Sequence, residues 1–536
     1  MSSRLTRVLV LSGAVALGIS ACLVDGAHGD TPRGAAVMNP SKAVVEANTD
    51  FALDLYKQLA KENTGDNLFF SPYSVSNALV MALEGARLET ADEMGRVLRL
   101  PDAARRIGDD AQQIPWQTSL IHSGMAELNE LLMGEKDRAE TAAISDRIDE
   151  LREQLAATKA RMQQLREGGK WQELRAAQQQ EQKIVATLNE LSAQVDQYEI
   201  RVANALWGEK TYPFDPEYLA TIGEYYKTGG IFPVDFRRAF DDARLNINAW
   251  IEDQTNRRIK DLIPAGALDE YTRLVLTNAI YFKGEWATPF EEQHTRDRDF
   301  TLADGTKVQT PIMHAPSLKV ARYGAFNSDG SFFDTPMRIR HDQDPKQFYP
   351  ESGGFAMVEL PYKGDDLSMV VIAPNDPAGL AAIEVQWTPA KLDRWIGQLQ
   401  QRETHVYLPR FTMETEFTLG DAEGTGTLEQ MGMVRAFKDP RFPETGAQFP
   451  GMTTSTDPME QLYMSKVLHK AFVEVNEKGT EAAAATAVFM AGPTSVPRDR
   501  PFVPEFKADR PFVFLIRDNR TGTVLFLGRM MAPAAE

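Results

Sequence analysis

Apolar residues first recur at helical spacing through Val44, Phe51, Leu55 and Leu59, with Asn48 on the same stripe and Asn63 and Gly65 closing it. The stretch NLFFSPYSVSNALVMAL then predicts a short buried strand and a second helix, with Ser71 as N-cap and Pro72 in the first turn. Thr90 and Glu93 have the spacing of a capping box, which predicts a further helix start. From 138 to 198 the pattern changes. Ile144, Ile148, Leu151, Leu155, Met162 and Leu165 step by four and three, with Thr158 in the missing position. After Gly168-Gly169 a similar stripe continues through Trp171, Leu174, Ile184, Leu188, Leu191, Val195 and Tyr198, weakened by Glu181. This predicts two helices of about 28 residues in an antiparallel coiled-coil hairpin, on the order of 40 Å long. It reads either as a solvated spacer or as a docking arm for a protein partner.

Beyond the hairpin the periodicity shortens. EIRVANALWG reads as a buried strand, and FAMVELPYKGDDLSMVVIAP as two strands joined through Lys363-Gly364-Asp365-Asp366. HVYLPRFTMETEF alternates Val406, Leu408, Phe411 and Met413, and PFVFLIRDNRTGTVLFLGRM gives two apolar strands around a turn at 518–522. Helices come early, strands dominate later and no βαβ rhythm appears, which points to an α+β class with antiparallel sheets.

Composition bounds the function. The 536 residues carry 58 Lys and Arg against 76 Asp and Glu, a net charge of −18, which argues against nucleic acid or an anionic membrane surface as the main partner. Arg4 and Arg7 precede an apolar stretch at 8–19 that is short for a bilayer span and reads as a secretion signal. Ile19-Ser20-Ala21-Cys22 resembles a bacterial lipoprotein box, with Cys22 as the lipidated residue; the alternative is an ordinary signal cut nearer Ala27-His28-Gly29. On the first reading residues 1–21 are a signal peptide, 22–42 a tether and 43–536 the folded domain. The protein is then exported, at the cell envelope or in the extracellular or periplasmic space, and meets the membrane only through its lipid. Cys22 is the single cysteine, so no disulfide forms within the chain.

A search for catalytic constellations finds none. The seven histidines show no metal-ligand spacing, the one cysteine sits at the lipid site and so leaves none for thiol catalysis or a cysteine–zinc site, and neither a Gly-x-Ser-x-Gly elbow nor a phosphate loop occurs. The expectation is a protein that is not an enzyme and needs no cofactor or metal.

Five stretches in order resemble the serpin family: NLFFSPYSVSNAL, LTNAIYFKGEWATPF, ELPYKGDDLSMVV, LHKAFVEVNEKGTEAAAATAV and ADRPFVFLIRDNRTGTVLFLGRM. The resemblance runs from about residue 43 to the end, interrupted by the hairpin. It implies three β-sheets, eight to nine helices and an exposed reactive loop that enters the central sheet as an added strand. It places Ser71, Ser74, Asn278 and His469 in the polar cluster where that sheet parts, the shutter, and Trp286 where the loop first enters, the breach. It implies a hinge over Glu477, Gly479, Thr480, Ala482, Ala484 and Thr486. A serine protease, elastase-like or subtilisin-like, is the implied partner of a monomeric inhibitor; the alternative is a non-inhibitory scaffold or chaperone that binds through the hairpin.

The hinge has a physical reading of its own. Thr480, Ala482, Ala484, Thr486, Val488 and Met490 occupy alternate positions, carry no charge and grow in size, as a segment that slides between two strands requires. Counting fifteen positions from Gly479, as in inhibitory serpins, puts the scissile bond at Pro493-Thr494. Two departures from the family pattern stand out: the hairpin, and the long segment FNSDGSFFDTPMRIRHDQDPKQFYPESGG, for which the sequence offers no account.

Overall fold

The first stripe forms α1 (Pro40–Glu62), capped by Asn39 and ended at Asn63, with Gly65 at φ +86° in the turn beyond. The computed structural model describes residues 39–107, 113–133, 170–192, 198–226, 231–480 and 499–533, with single positions between 147 and 168. After β1 (Leu68–Phe70), α2 (Pro72–Gly85) begins at Ser71, whose hydroxyl accepts from the Ser74 N–H. Almost every residue of α2 is buried, because the helix packs against strands of two different sheets.

The capping box does not form. α3 (Leu88–Val97) starts earlier, after Arg87, with no side-chain cap. Thr90 exchanges hydrogen bonds with Gln448, and the Glu93 carboxylate accepts from the N–H groups of Val434 and Arg435. A distant turn presents unsatisfied donors, and the two side chains serve it instead of their own helix.

The next helices are α4 (Thr118–Met133) and α5 (Trp171–Ser192). Leu151 and Leu155 pack with Ile184 and Leu191, and Leu165 packs with Met162, Leu174 and Ala177. Tyr198, expected as the last position of the second stripe, instead opens β2 (Tyr198–Glu209), paired with Gly284; Val195 lies outside the described residues. The remaining helices are α6 (Pro216–Tyr225), α7 (Phe236–Gln254), α8 (Leu380–Gln386), α9 (Pro389–Gly397) and the single turn α10 (Thr427–Gln430).

Three sheets and a two-stranded ladder are present among the described residues. The central sheet has the order β14 (Phe411–Asp421), β15 (Lys466–Val475), β4 (Leu274–Glu285), β2 and β3 (Ile231–Val234), with β16 (Gly479–Thr480) on the end of β4. The largest runs β1, β20 (Val524–Met530), β19 (Phe512–Asp518), β11 (Leu367–Pro374), β10 (Phe355–Pro361), β7 (Arg322–Phe326) and β12 (Gln400–Gln401), with β8 (Phe332–Phe333) against β7. The third runs β18 (Glu505–Lys507), β13 (Thr404–Pro409), β6 (Lys307–Leu318) and β5 (Arg296–Thr301); β17 (Asp499–Pro501) and β9 (Arg338–Arg340) form the ladder. Both expected hairpins, β10–β11 and β19–β20, are antiparallel. The sheets are not antiparallel throughout, however: β4–β15, β2–β3 and β13–β18 pair in parallel. Side-chain alternation reports the face of a strand, not its direction, so the sequence pattern is silent on this.

The central sheet has two distinct faces. Val275, Ala279 and Tyr281 of β4 join Ile247 and Ile251 of α7 in one buried cluster. The intervening Asn278 points the other way, to Ser74 on α2. The third sheet stands at one end of the central one, because Arg410 alone separates β13 from β14.

Candidate functional site: a parallel seam with a polar cluster behind it

Two neighbouring pairs of the central sheet are parallel: β2–β3 at its edge, and β15–β4 inside it, which run together from the pair Val467–Leu276 to the pair Phe472–Tyr281. β14 is antiparallel to β15, and β2 is antiparallel to β4 over the pairs Tyr198–Gly284 to Gly208–Leu274. A strand laid between β4 and β15 against their direction would replace one parallel pairing by two antiparallel ones, the more stable arrangement. The chain has already begun that path. After β15 it turns back, and Gly479 and Thr480 pair antiparallel with Glu285 and Gly284 of β4.

The turn at the top of the seam is tightly held. Gly479 sits at φ +150°, and a Cβ there would fall on the Gly284 carbonyl, 2.7 Å from the Glu285 Cα and 2.9 Å from the Trp286 nitrogen. Buried Glu477 accepts from the Thr295 hydroxyl at 2.7 Å and pairs with Arg410 at 3.7 Å, while its carbonyl accepts from the Phe290 N–H. Trp286 is buried, stacks on Tyr362 at 4.7 Å, and donates from its indole to the Asn476 carbonyl and from its backbone to that of Lys478, each at 3.0 Å. Gly479→Ala should therefore detach β16 from β4 at a cost of about 2 kcal/mol. Faster hydrogen exchange at the Trp286 N–H, which answers Lys478, is the measurement.

Lower in the seam, Ser71, Ser74, Asn278 and His469 come together as expected, joined by Asn204 of β2. The Asn278 amide donates to the Ser74 hydroxyl at 2.8 Å and to Asn204 Oδ1 at 2.7 Å. Asn204 Oδ1 also accepts from the Ser74 hydroxyl, and its amide donates to the Ser74 carbonyl. His469 lies level with Asn278 across the β4–β15 pair and is fully buried. Its Nε2 accepts from the Ser71 N–H at 3.1 Å, which leaves Nδ1 to donate to Asn278 Oδ1. Sequence reasoning missed Asn204. The signal was there, one amide in the otherwise apolar run ANALW, but its partners lie 74 and 130 residues away in the chain.

Burial pushes the His469 imidazole from its ordinary 6.5 down to about 3, although the hydrogen bond to Asn278 acts the other way. A second proton would also point at the Ser71 N–H, a donor facing a donor. The unfolded chain takes up this proton below about pH 6.5 and the folded one only near pH 3, so between them folding loses about 1.4 kcal/mol per pH unit. Urea unfolding at pH 7, 5 and 4 should show the stability difference between wild type and His469→Gln moving in the variant's favour by that slope.

Ala482, Ala484, Thr486, Pro493, Thr494 and Cys22 lie outside the described residues. With the seam and its cluster in view, sequence comparison decides the family. The family model described as serpin (serine protease inhibitor) matches residues 46–147 and 153–533. The chain belongs to the serpin family. This serpin is 35% identical over 490 residues to serpin B4 of Homo sapiens, covering 91% of its own length and 99% of that protein. It is 33% identical over 493 residues to the leukocyte elastase inhibitor of Bos taurus, covering 91% and 98%. It is also 32% identical over 492 residues to an uncharacterized serpin-like protein of Thermococcus kodakarensis, covering 92% and 86%. Among solved structures, uncleaved ovalbumin superposes with a TM-score of 0.62 at 24% identity, covering 92% of the serpin and all of that chain. Human thyroxine-binding globulin in complex with thyroxine gives 0.64 at 23% identity, covering 93% and 100%. These two likenesses show the shared fold.

Proposed function

We propose that this serpin inhibits serine proteases by trapping the acyl-enzyme, the cleaved loop entering the central sheet between β4 and β15. The observation that carries the reading is β16, two residues of antiparallel strand already laid on β4 beside a parallel seam. Continued in that register, residue 482 meets Phe282, 484 meets Ile280, 486 meets Asn278 and 488 meets Leu276. Small Ala482 would then stand beside the large Phe282, and Thr486 would part the Asn278–His469 bond and offer a hydroxyl in its place. The protease attacks the loop, its serine forms an ester with the new carboxyl end, and insertion carries the ester away before water reaches it. The free energy of the added pairings drives this step, held until then behind a kinetic barrier.

Names among the relatives favour elastase-like targets, as do the small residues Met490-Ala491-Gly492 and Thr494-Ser495-Val496. Export and a lipid on Cys22 are supported by the N-terminal pattern, and an inserted hairpin by the two apolar clusters that join the 151–165 segment to α5. The deciding experiment incubates the mature protein with elastase-, subtilisin- and trypsin-like proteases. A complex that survives boiling in detergent, with a new amino terminus at Thr494 on the released fragment, is expected. Cleavage by all of them with no complex and no gain in thermal stability would overturn the proposal.

A further inference from the structure

The long segment that the sequence left unexplained does have a place in the fold. Between β7 and β10 the chain leaves the large sheet, and β9 pairs antiparallel with β17 through Arg340–Asp499, Ile339–Arg500 and Arg338–Pro501. β17 is the stretch that follows 481–498. Its end is gripped further. The Phe502 N–H donates to the Met337 carbonyl at 3.0 Å, and the Phe502 ring packs against Phe348 and Tyr349 at 5.5 and 5.7 Å. The Tyr349 hydroxyl then accepts from the Glu505 N–H at the start of β18.

One side chain ties both partners together. Arg402, 5% exposed between β12 and β13, donates to the carbonyls of Thr335 at 3.0 Å and Pro336 at 2.9 Å on the long segment. It also donates to the Phe502 carbonyl at 2.8 Å. A buried guanidinium whose three carbonyl partners come from two separate segments fastens those segments together, and no carboxylate pairs with it among the described residues.

We infer that residues 327–354 act as a strap that fastens the far end of the reactive loop and so blocks insertion of the uncleaved loop. This rests on the inhibitor reading, and the reason is chain length. Laying residues 481–490 along β4 from Lys283 to Leu274 carries the chain about 33 Å down the sheet. Nine residue-to-residue steps, from 490 to 499, then remain for the climb back to Asp499, and fully extended they span about 31 Å, less than the descent even before any turn is made. Asp499 and β18 stand at the top, because β18 pairs with β13 and β13 leads through Arg410 into β14 at the end where Gly479 turns. An intact loop can complete the descent only by peeling β17 off β9. A cleaved loop has no return limb, and the strap leaves it free.

The test is spontaneous conversion, without protease, to a form that no longer melts in its original transition, followed by circular dichroism after timed incubation at a mildly elevated temperature. Arg402→Met removes the three carbonyl contacts and should speed conversion by roughly tenfold or more. The double variant Ile339→Cys/Arg500→Cys, made in a Cys22→Ser chain, joins a directly opposed cross-strand pair and should convert more slowly oxidised than reduced. If Arg402→Met folds and converts at the wild-type rate, the strap is not a fastening. If Arg402→Met fails to fold, the cysteine pair decides alone, and equal rates in its two redox states overturn the inference. Neither result depends on protease, so failure of the inhibitor reading shows separately, as absence of the detergent-stable complex in wild type.

Discussion

Thr486→Arg is expected to turn the protein from an inhibitor into a substrate: the protease cleaves it at the same bond and walks away. In the register that β16 starts, position 486 arrives level with Asn278 and His469, on the side of the sheet where Ser74 and α2 lie. That space is buried, and among the described residues the cluster that fills it holds no carboxylate. Burying a guanidinium there without an anion costs several kcal/mol, and each 1.4 kcal/mol slows insertion about tenfold against hydrolysis of the ester. The complex should fall by about two orders of magnitude relative to cleaved product on a denaturing gel. Glu481→Gln is the control, because position 481 would face half-buried Lys283 and tolerates polarity. Undiminished complex from Thr486→Arg would mean that the loop takes a different register.

The second large effect is on the resting state. Asn278→Ala removes the acceptor for His469 Nδ1 and the donor to both Ser74 and Asn204, inside a buried cluster. The stranded imidazole N–H should cost about 3 kcal/mol, read from the urea midpoint at constant slope. A double-mutant cycle with His469→Ala should return a coupling of about 1 kcal/mol or more, since the first change already takes most of what the second would.

Much of this was legible in the chain, in a particular way. Local instructions read directly: Ser71 and Pro72 start α2, and Gly364 and Gly522 turn their hairpins at positive φ. The family resemblance then brought Ser71, Ser74, Asn278 and His469 to one place before any coordinates did. What escaped was every feature whose partner is remote. Thr90 and Glu93 looked like a cap for their own helix, yet they serve residues more than 340 positions away. Tyr198 looked like the end of a helical stripe and proved to be the first residue of β2, because pairing with Gly284 outweighs a weak seam. The direction of β15 beside β4, on which the functional reading turns, leaves no trace in a pattern of alternating side chains.

The position of Tyr198 has one more consequence. Gly284 pairs with Tyr198 on one side and with Thr480 on the other, so the chain that follows α5 joins the sheet one strand away from β16. β2 is an interior strand, held by β3 as well as β4. A pull applied at Tyr198 along the axis of β2 would load the whole run of pairs from Tyr198–Gly284 to Gly208–Leu274 in shear, all at once, instead of unzipping them singly. Mechanically this is a strong root, and the tension would be delivered beside β4, the strand on which the proposed mechanism lays the loop.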